Sequence, residues 1–408
     1  MTDNYASHFG VNNIPYGIAS SSKRSTPQCA TRIGDEVIFL AELAEHGSLK
    51  AISAPLSSIF RESTLNTFAA LGKDIQSQVR SAIQEAYKSK SHANFSESIS
   101  DVTLHMPVSV GDFTDYSASA NHVLNAGEAV QGIRAYPPAF KKYPVGYAGR
   151  SSSITVSGAP VTRPLGQFIE DYTVPDKKII FGPSRGLDYE MEIAAVIGKP
   201  VQSGTYLNAK DADEHIFGLV LLNDWSARDI QGLEMNPLGP FNGKNFMTSI
   251  TPWVVTLEAL KSHEVSAPPR MEPVASFMDD PNSINYNIQQ LEGQIIRNGT
   301  QTTTCKVGFE TMYWTFRHML AHHTIGGCGL RTGDLVASGT VSGEQEHEHG
   351  CLLELTKNGK APSKLSDGSE LRYLNDGDEV RYIGVVGDGS TGVGFGVCIG
   401  TVKPARKV

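Results

Sequence analysis

The chain has few cysteines, and none of them are paired at the spacing of a metal-binding or redox motif. Cys29, Cys305, Cys328, Cys351 and Cys398 are an odd number of thiols without a CxxC pair. This usage is typical of reduced thiols and excludes a disulfide framework. It therefore predicts an intracellular, cytoplasmic protein.

Long hydrophobic runs, charge runs and repeats are also missing. No apolar run is long enough to span a bilayer, and the start lacks the basic segment and apolar core of a signal peptide, so we expect no membrane association. The net charge of −8 is spread along the chain, which disfavours nucleic acid as a partner. The absence of a 20–50-residue period excludes solenoids and propellers.

What is present indicates a globular, glycine-rich chain of two domains. Its 408 residues are 40% hydrophobic and include 40 glycines, a profile typical of a mainly β (α+β) enzyme. An N-terminal domain, 1–105, contains strand patterns at Tyr16–Ala19 and Val37–Leu40 and one helical pattern from Leu65 to Tyr87. From there on, short strands separated by Gly and Pro predict a second domain, 106–408.

Within this second domain one helix and many short strands are predicted, of which four are the clearest. The helix runs from Phe309 to His322 and is ended by two glycines. These four strands are Ser153–Val156, Lys178–Phe181, Pro252–Thr256 and Leu352–Leu355.

Four carboxylates stand inside or beside apolar sequence. Glu190 and Glu192 lie two residues apart in a predicted strand, so both point to one face. Asp224 ends the apolar run 216–222, and Asp115 lies farther upstream. Acids at strand ends suit a hard divalent cation. The alternative is that each acid pairs with an arginine or caps a turn, and the spacing alone leaves both interpretations open.

Other reactive side chains accompany these acids. His122 is a candidate general base, and Glu354 is a candidate carboxylate to orient it. Arg228, Gln231 and Lys244 could receive developing negative charge. The alternatives are that His122 is a surface residue and that Arg228 neutralises Asp224 or Glu354. The pattern alone indicates a metal-assisted hydrolase or lyase.

The ordered motifs resemble the fumarylacetoacetase (fumarylacetoacetate hydrolase) family over nearly the whole chain. The matching stretches include Gly111–Asp115, Pro144–Tyr147, Ser152–Gly158, Glu190–Glu192, His215–Gly218, Asn223–Gln231, Pro237–Phe241, Ser338–Gly343, Asp376–Val380 and Val393–Gly396. The N-terminal part matches through Asn13–Gly17 and Thr64–Asn66.

The resemblance implies a fold, an assembly and a cofactor. The family fold is a small SH3-like N-terminal barrel followed by a larger mixed β-sandwich roll that holds the active site, in a homodimer. The family hydrolase ends tyrosine catabolism and uses Mg²⁺ or Ca²⁺. The positions that match its cation site are Asp115, Glu190, Glu192, Asp224, Lys244 and Thr248.

The resemblance also implies roles in catalysis. His122 matches the general base that activates water, and Glu354 matches its carboxylate partner. Positions that stabilise the oxyanion and the carbanion leaving group match Arg228, Gln231 and Lys244. Positions in contact with substrate match Tyr147 and Thr340.

The residues expected to recognise substrate depart from the family pattern. Ser117 and Met235 stand where the family has tyrosines, and Gln131 replaces an arginine, although Arg134 is close. The family's Tyr-His-Gly-Arg reads with Ala148 in the second place. An Arg and two Tyr are donors suited to the carboxylates of a diacid, so their loss favours a more apolar 1,3-dicarbonyl substrate.

Two enzyme hypotheses follow. The first is a metal-dependent hydrolase that cleaves a C–C bond of fumarylacetoacetate or of a related, more apolar 1,3-dicarbonyl by His-activated water. The second is a non-hydrolytic decarboxylase, tautomerase, dehydratase, or condensation or cyclisation catalyst that acts on a metal-bound enolate in specialised metabolism. Retention of His122 with Glu354 favours the first. A binding protein without catalysis would keep this machinery for no reason.

Overall fold

The computed structural model of the chain describes residues 4–407. The signal-peptide expectation rests partly on residues 1–3, which lie outside the described residues. The strands are β1 (Tyr16–Ser21), β2 (Gln28–Ile33), β3 (Glu36–Phe39), β4 (Ser96–Ser98), β5 (Val102–His105), β6 (Phe113–Tyr116), β7 (Gly146–Gly149), β8 (Ile154–Val156), β9 (Val161–Thr162), β10 (Leu165–Ile169), β11 (Ile179–Pro183), β12 (Leu187–Asp188), β13 (Met191–Ile197), β14 (Ile216–Asp224), β15 (Ser226–Ala227), β16 (Thr248–Ile250), β17 (Val255–Thr256), β18 (Glu264–Ser266), β19 (Ile284–Tyr286), β20 (Gln290–Arg297), β21 (Thr300–Val307), β22 (Leu335–Ala337), β23 (Ser363–Lys364), β24 (Glu370–Leu371), β25 (Glu379–Val385) and β26 (Gly394–Lys403). The α-helices are α1 (Leu40–Glu45), α2 (Leu56–Ile59), α3 (Asn66–Ala70), α4 (Lys73–Lys88), α5 (Ala120–Gln131), α6 (Arg228–Glu234), α7 (Leu257–Leu260), α8 (Phe316–Thr324) and α9 (Leu352–Leu355).

The N-terminal part is an antiparallel sheet with the helices α1–α4 inserted between its strands β3 and β4. Its strand order is β4-β3-β2-β1-β5. The single helix predicted from Leu65 to Tyr87 is instead two helices, α3 and α4. Gly72 separates them because its φ of 86° belongs to the left-handed region, which a helix cannot continue through. The predicted boundary at residue 105 stays a prediction.

Beside four two-stranded sheets, two sheets of eight and five strands form most of the rest of the described residues. One has the order β7-β6-β22-β13-β14-β16-β8, with β17 also paired to β14, and the other has the order β21-β20-β25-β26-β9. Strand β13 is buried on both faces. Ile193 and Ala195 pack into a core with residues of β20 and β25, whereas Ala194 and Val196 pack into a core with the N-terminal helices. This explains why the strand reads as one continuous apolar run.

The fold class is confirmed, because strands dominate and helices are few and short. Strands β8 and β11 lie where strands were predicted, and Pro252–Thr256 contains only the short β17. The predicted helix Phe309–His322 begins instead at Phe316, after a 3₁₀ turn. No helix within residues 4–407 is long and apolar enough to cross a membrane.

The strand predicted at Leu352–Leu355 is wrong, because this segment is the helix α9. The carboxylate of Asp188 accepts hydrogen bonds from the backbone N–H groups of Leu352 and Leu353 at 2.8 and 2.9 Å. These groups begin the helix and have no partner within it. A cap from a distant residue therefore overrides the local leucine pattern.

Candidate metal and catalytic site

The four predicted acids meet at one region of the larger sheet. Asp115 lies on β6, Glu190 directly precedes β13, Glu192 lies within β13 and Asp224 ends β14. Carboxylate oxygens of Asp115, Glu190 and Glu192 all lie within 4.8 Å of one another. All four residues are buried, with relative exposures of 3%, 6%, 0% and 1% in chain order. The prediction that Glu190 and Glu192 share one face is confirmed.

Asp224 is the best-connected acid of the cluster. Its carboxylate accepts hydrogen bonds from Tyr147 Oη at 3.0 Å, Thr248 Oγ1 at 2.7 Å and Lys244 Nζ at 2.8 Å. Lys244 also contacts Glu190. Burial by itself lowers the pKa of Lys244, but the two acids raise it above its usual value. An ammonium has no lone pair, so in this state Lys244 can neutralise acids but cannot ligate a cation.

Asp115 and Glu192 hold the carboxyl oxygens of the cluster that have no hydrogen-bond partner. Asp115 Oδ1 and both carboxylate oxygens of Glu192 are buried and have no hydrogen-bond partner. Burial and the neighbouring Asp224 raise the pKa of Asp115 to about 7, and burial with Asp115 raises the pKa of Glu192 well above its usual value. Unpaired buried carboxylates are costly, and oxygen ligands are those that hard divalent cations prefer. These residues therefore fit a cation such as Mg²⁺ or Ca²⁺.

Arg228 contacts both Glu190 of this cluster and a further acid, Asp188. Its Nε donates to Asp188 at 2.8 Å, and its Nη1 lies 2.8 Å from Glu190 and 3.2 Å from Gln231 Oε1. Arg228 therefore forms ion pairs with Asp188 and Glu190, and not with Asp224 or Glu354 as in the alternative interpretation. Burial by itself raises the pKa of Glu190, but Lys244 and Arg228 lower it to about 2. Arg228 Nη2 is buried and lacks a partner, so one donor is available to a bound anion.

His122 is held by helix α5 and by Glu354. Ser119 precedes the helix, and its Oγ accepts the backbone N–H of His122 at 3.1 Å, which is a typical N-cap. His122 Nδ1 lies 2.7 Å from Glu354 Oε1, with side-chain exposures of 12% and 0%. Burial lowers the pKa of His122, but Glu354 more than offsets this and raises it. The surface-residue alternative for His122 does not fit this geometry.

Glu354 is fixed by further hydrogen bonds. Its Oε1 accepts from Ser342 Oγ at 2.6 Å and from Cys351 Sγ at 3.3 Å. Its Oε2 accepts from Asn125 Nδ2 at 2.8 Å, and the orientation of Asn125 is set by Arg134 Nη1, which donates to Asn125 Oδ1 at 2.8 Å. With both oxygens engaged, Glu354 can orient a neighbour and stabilise its positive charge.

The residues predicted to contact substrate are more dispersed. Thr340 is buried, and its Oγ1 has no partner. Met235 is 51% exposed beyond the end of α6, where its sulfur lies 3.9 Å from Gln231 Nε2. Gln131 is exposed at the end of α5. Within residues 4–407, no side-chain hydrogen bond joins Gln131 or Ser117 to the acids, so their roles stay predictions.

Sequence reasoning missed Asp188 and Asn125. Asp188 lies two residues before Glu190, so the period of the strand that selected the two glutamates also pointed to it. Asn125 lies three residues after His122 on α5, on the same helix face. Both signals were present in the sequence, but their partners Arg228 and Glu354 lie far along the chain.

Comparison with known proteins identifies the family. The family model for the fumarylacetoacetate (FAA) hydrolase C-terminal domain matches residues 58–403. The chain belongs to the fumarylacetoacetate hydrolase family. It is 41% identical to the fumarylacetoacetase of Aspergillus fumigatus over 420 residues, which cover 98% of this chain and 97% of that protein. The Arabidopsis thaliana and Homo sapiens fumarylacetoacetases are 39% and 37% identical, over 98% of this chain and 96% and 97% of theirs.

Solved structures share the family fold. The fumarylacetoacetate hydrolase of Exiguobacterium antarcticum is 17% identical, with a TM-score of 0.53 over 96% of this chain and 100% of that one. At this identity the similarity concerns the fold alone. The closer relatives confirm the prediction of a fumarylacetoacetase-like hydrolase that acts on carbon–carbon bonds.

Proposed function

We propose that this family member hydrolyses a C–C bond of a 1,3-dicarbonyl compound, with His122 as general base. The observation that carries the proposal is the His122–Glu354 pair, at 2.7 Å between Nδ1 and Oε1. Glu190 contributes to the raised pKa of His122, so the base is electrostatically coupled to the acid cluster. A base beside a cluster of unpartnered carboxylate oxygens suits hydrolysis of an enolisable substrate.

The acid cluster is proposed to hold Mg²⁺ or Ca²⁺ through Asp115, Glu190, Glu192 and Asp224. Such a cation, when bound, polarises the two oxygens of a dicarbonyl. Thr248 supports the cluster through its hydrogen bond to Asp224. Lys244 is proposed to act as a charge-stabilising group rather than as a ligand.

His122 performs the proton transfers. Because Nδ1 donates to Glu354, the lone pair of the neutral ring lies on Nε2. Nε2 removes a proton from water, and the water oxygen forms a bond to a substrate carbonyl carbon. Glu354 stabilises the imidazolium that results, and its own pKa stays low because His122 lowers it despite burial.

Donors around the cluster stabilise the negative charge that develops. Arg228 Nη2, Gln231 and Lys244 are proposed to bind the oxyanion of the tetrahedral adduct. As this adduct collapses, the C–C electrons pass to the enolate leaving group, which takes a proton from the His122 imidazolium. Each such donor typically contributes about 10²–10³ in rate.

The substrate is proposed to be more apolar than fumarylacetoacetate. The Tyr147 hydroxyl donates to Asp224, whereas Ser117, Gln131 and Met235 stand in place of two tyrosines and an arginine and supply no positive charge for a second carboxylate. Arg134 is proposed not to replace the missing arginine, because its Nη1 is directed to Asn125 and Glu128, at 2.8 and 2.9 Å.

A substrate panel tests the proposal. Fumarylacetoacetate, acylpyruvates and neutral β-diketones are incubated with the full chain and Mg²⁺ or Ca²⁺, and loss of the enol absorbance is followed while both fragments are identified. We expect cleavage that requires the cation and that falls by at least about 10²-fold in His122→Ala. Unchanged turnover in His122→Ala would refute the assignment of the base.

Sedimentation analysis would test the homodimer that the family resemblance implies.

A further inference from the structure

Asp188, the last residue of β12, is a fully buried carboxylate that the proposed mechanism does not use. Its side chain is 0% exposed. One oxygen accepts from the backbone N–H groups of Tyr189 at 2.7 Å and Leu352 at 2.8 Å. The other accepts from Arg228 Nε at 2.8 Å and from the backbone N–H of Leu353 at 2.9 Å. Such saturation of both oxygens makes the position of the carboxylate well defined.

Each of these donors belongs to a segment that carries a proposed functional group. Leu352 and Leu353 are the first residues of α9, whose third residue is Glu354. Arg228 is itself a proposed donor, and Tyr189 directly precedes Glu190. The Asp188 carboxylate therefore connects helix α9, which contains Glu354, with Arg228 and with the residue that precedes Glu190.

Helix α9 depends on this contact. It is only four residues long, and its N-cap residue, Cys351, makes no side-chain capping hydrogen bond. A helix this short does not support itself. Asp188 supplies the missing cap from another segment. It thereby fixes the position of the Glu354 side chain relative to His122.

The same carboxylate fixes the guanidinium of Arg228. Nε is bound by Asp188, and Nη1 is bound by Glu190 and Gln231. Because the guanidinium is planar, two fixed nitrogens determine the direction of the third. The buried, unpartnered Nη2 is therefore aimed by Asp188.

We infer that Asp188 is a positioning residue that sets Arg228 and Glu354 in the geometry that turnover requires. The inference rests on the proposed function. Asp188 acts through these two side chains and has no contact with the reacting atoms, so its removal should lower kcat and leave KM nearly unchanged.

The test is steady-state kinetics of Asp188→Asn in the full chain, on the panel compound that the unmodified protein cleaves fastest. We expect kcat to fall by about 10²-fold, the usual effect of one lost oxyanion donor, with KM within about threefold of its original value. Asp378→Asn is the matched control. Asp378 is also buried and paired with an arginine, accepting from Arg297 Nε and Nη2 at 2.8 and 2.7 Å and from the backbone N–H of Asn375 at 2.8 Å. The control should lose thermal stability but keep kcat.

Double variants separate positioning from general damage. In the Arg228→Ala and Glu354→Gln backgrounds, Asp188→Asn should cost a smaller factor in kcat than it does alone, because its route to the reaction is already interrupted. The same factor in every background would overturn the inference. So would a kcat of Asp188→Asn equal to that of Asp378→Asn.

Two further measurements keep the result interpretable. If Asp188→Asn does not fold, Asp188→Glu keeps the charge but displaces it by one methylene, and it should still lower kcat at least about tenfold; an unchanged kcat would overturn the inference. His122→Ala is assayed in parallel. If it is inactive while Asp188→Asn is fully active, only the role of Asp188 fails, whereas an active His122→Ala would remove the proposed function itself.

Discussion

Replacing Glu354 by glutamine separates the charge of this residue from its geometry. Oε1 of Glu354 accepts from His122, Ser342 and Cys351, whereas Oε2 accepts from Asn125 alone. The amide nitrogen of a glutamine would therefore take the Oε2 position, where it opposes one donor instead of three. The carbonyl oxygen would still face His122 Nδ1, so we expect the ring tautomer to be kept.

The magnitude follows from the hydrogen bond that loses its charge. Hydrogen bonds to charged groups contribute about 1.5–3 kcal/mol, and each 1.36 kcal/mol is a factor of ten in rate. If this contribution is lost in the transition state, where His122 is positive, kcat of Glu354→Gln should fall by about 10- to 10²-fold. The opposed amide of Asn125 should also lower the free energy of unfolding by about 1–3 kcal/mol.

The pH dependence of kcat/KM provides a second test of Glu354→Gln, because the direction in which it shifts can be predicted. His122 must be neutral to accept a proton, so activity is lost as pH falls through its folded pKa, which Glu354 raises above the usual 6.5. In Glu354→Gln this contribution is gone and burial lowers the pKa, so the acid limb of kcat/KM should move to lower pH. An acid limb that stays in place or moves to higher pH would refute the reasoning.

A second substitution separates the two effects. Asn125→Asp in the Glu354→Gln background provides an acceptor for the new amide and keeps the contact with Arg134. Thermal denaturation should then show that most of the lost stability is recovered. We expect kcat to recover less, because the negative charge at residue 125 reaches His122 only through the side chain of residue 354. Full recovery of kcat would contradict a direct role for the Glu354 charge.

Three further predictions concern the cation, the substrate and the water. Mg²⁺ or Ca²⁺ at 100 times Kd should raise the free energy of unfolding by about 2.7 kcal/mol. Glu192→Gln should raise Tm in chelator, because it removes a buried acid that lacks hydrogen-bond partners and interacts unfavourably with Asp115, and it should weaken the rise on adding cation; thermal shift assays with both proteins check this. The triple variant Ser117→Tyr, Gln131→Arg, Met235→Tyr should improve kcat/KM for fumarylacetoacetate relative to a neutral β-diketone by about tenfold or more, and an unchanged ratio would exclude these positions as specificity determinants. In H₂¹⁸O, mass spectrometry should find one solvent oxygen in the acid fragment, whereas a product without label would favour the non-hydrolytic alternative.

Local patterns were sufficient for the strand that carries the acids. Glu190 and Glu192 share a face because strands repeat every two residues, and the apolar run before Asp224 is a buried strand. Where a distant partner decides the conformation, local patterns failed. Leu352–Leu355 is helical because Asp188, more than 160 positions earlier, caps it.

The site was foreseeable in its residue types but less so in its pairings. An acid and an arginine can be recognised from the sequence, yet which acid meets Arg228 depends on how β12, β13 and α6 come together. The family resemblance supplied candidate roles, but it did not point to Asp188 or Asn125. Their importance follows only from the hydrogen bonds that the fold creates.

The N-terminal helices and β14 share one hydrophobic core. The position of the acids in the site therefore depends on residues that lie far from them. Tyr16, Phe68 and Phe217 form an aromatic triangle, with ring centroids 4.9, 5.8 and 6.0 Å apart, and Phe217 belongs to the strand that ends in Asp224. A substitution that empties this triangle loosens the back of that strand. Loss-of-function variants of this enzyme are therefore expected to arise in its first hundred residues as well as around the reacting groups, and to be recognisable by recovery of activity at lower temperature.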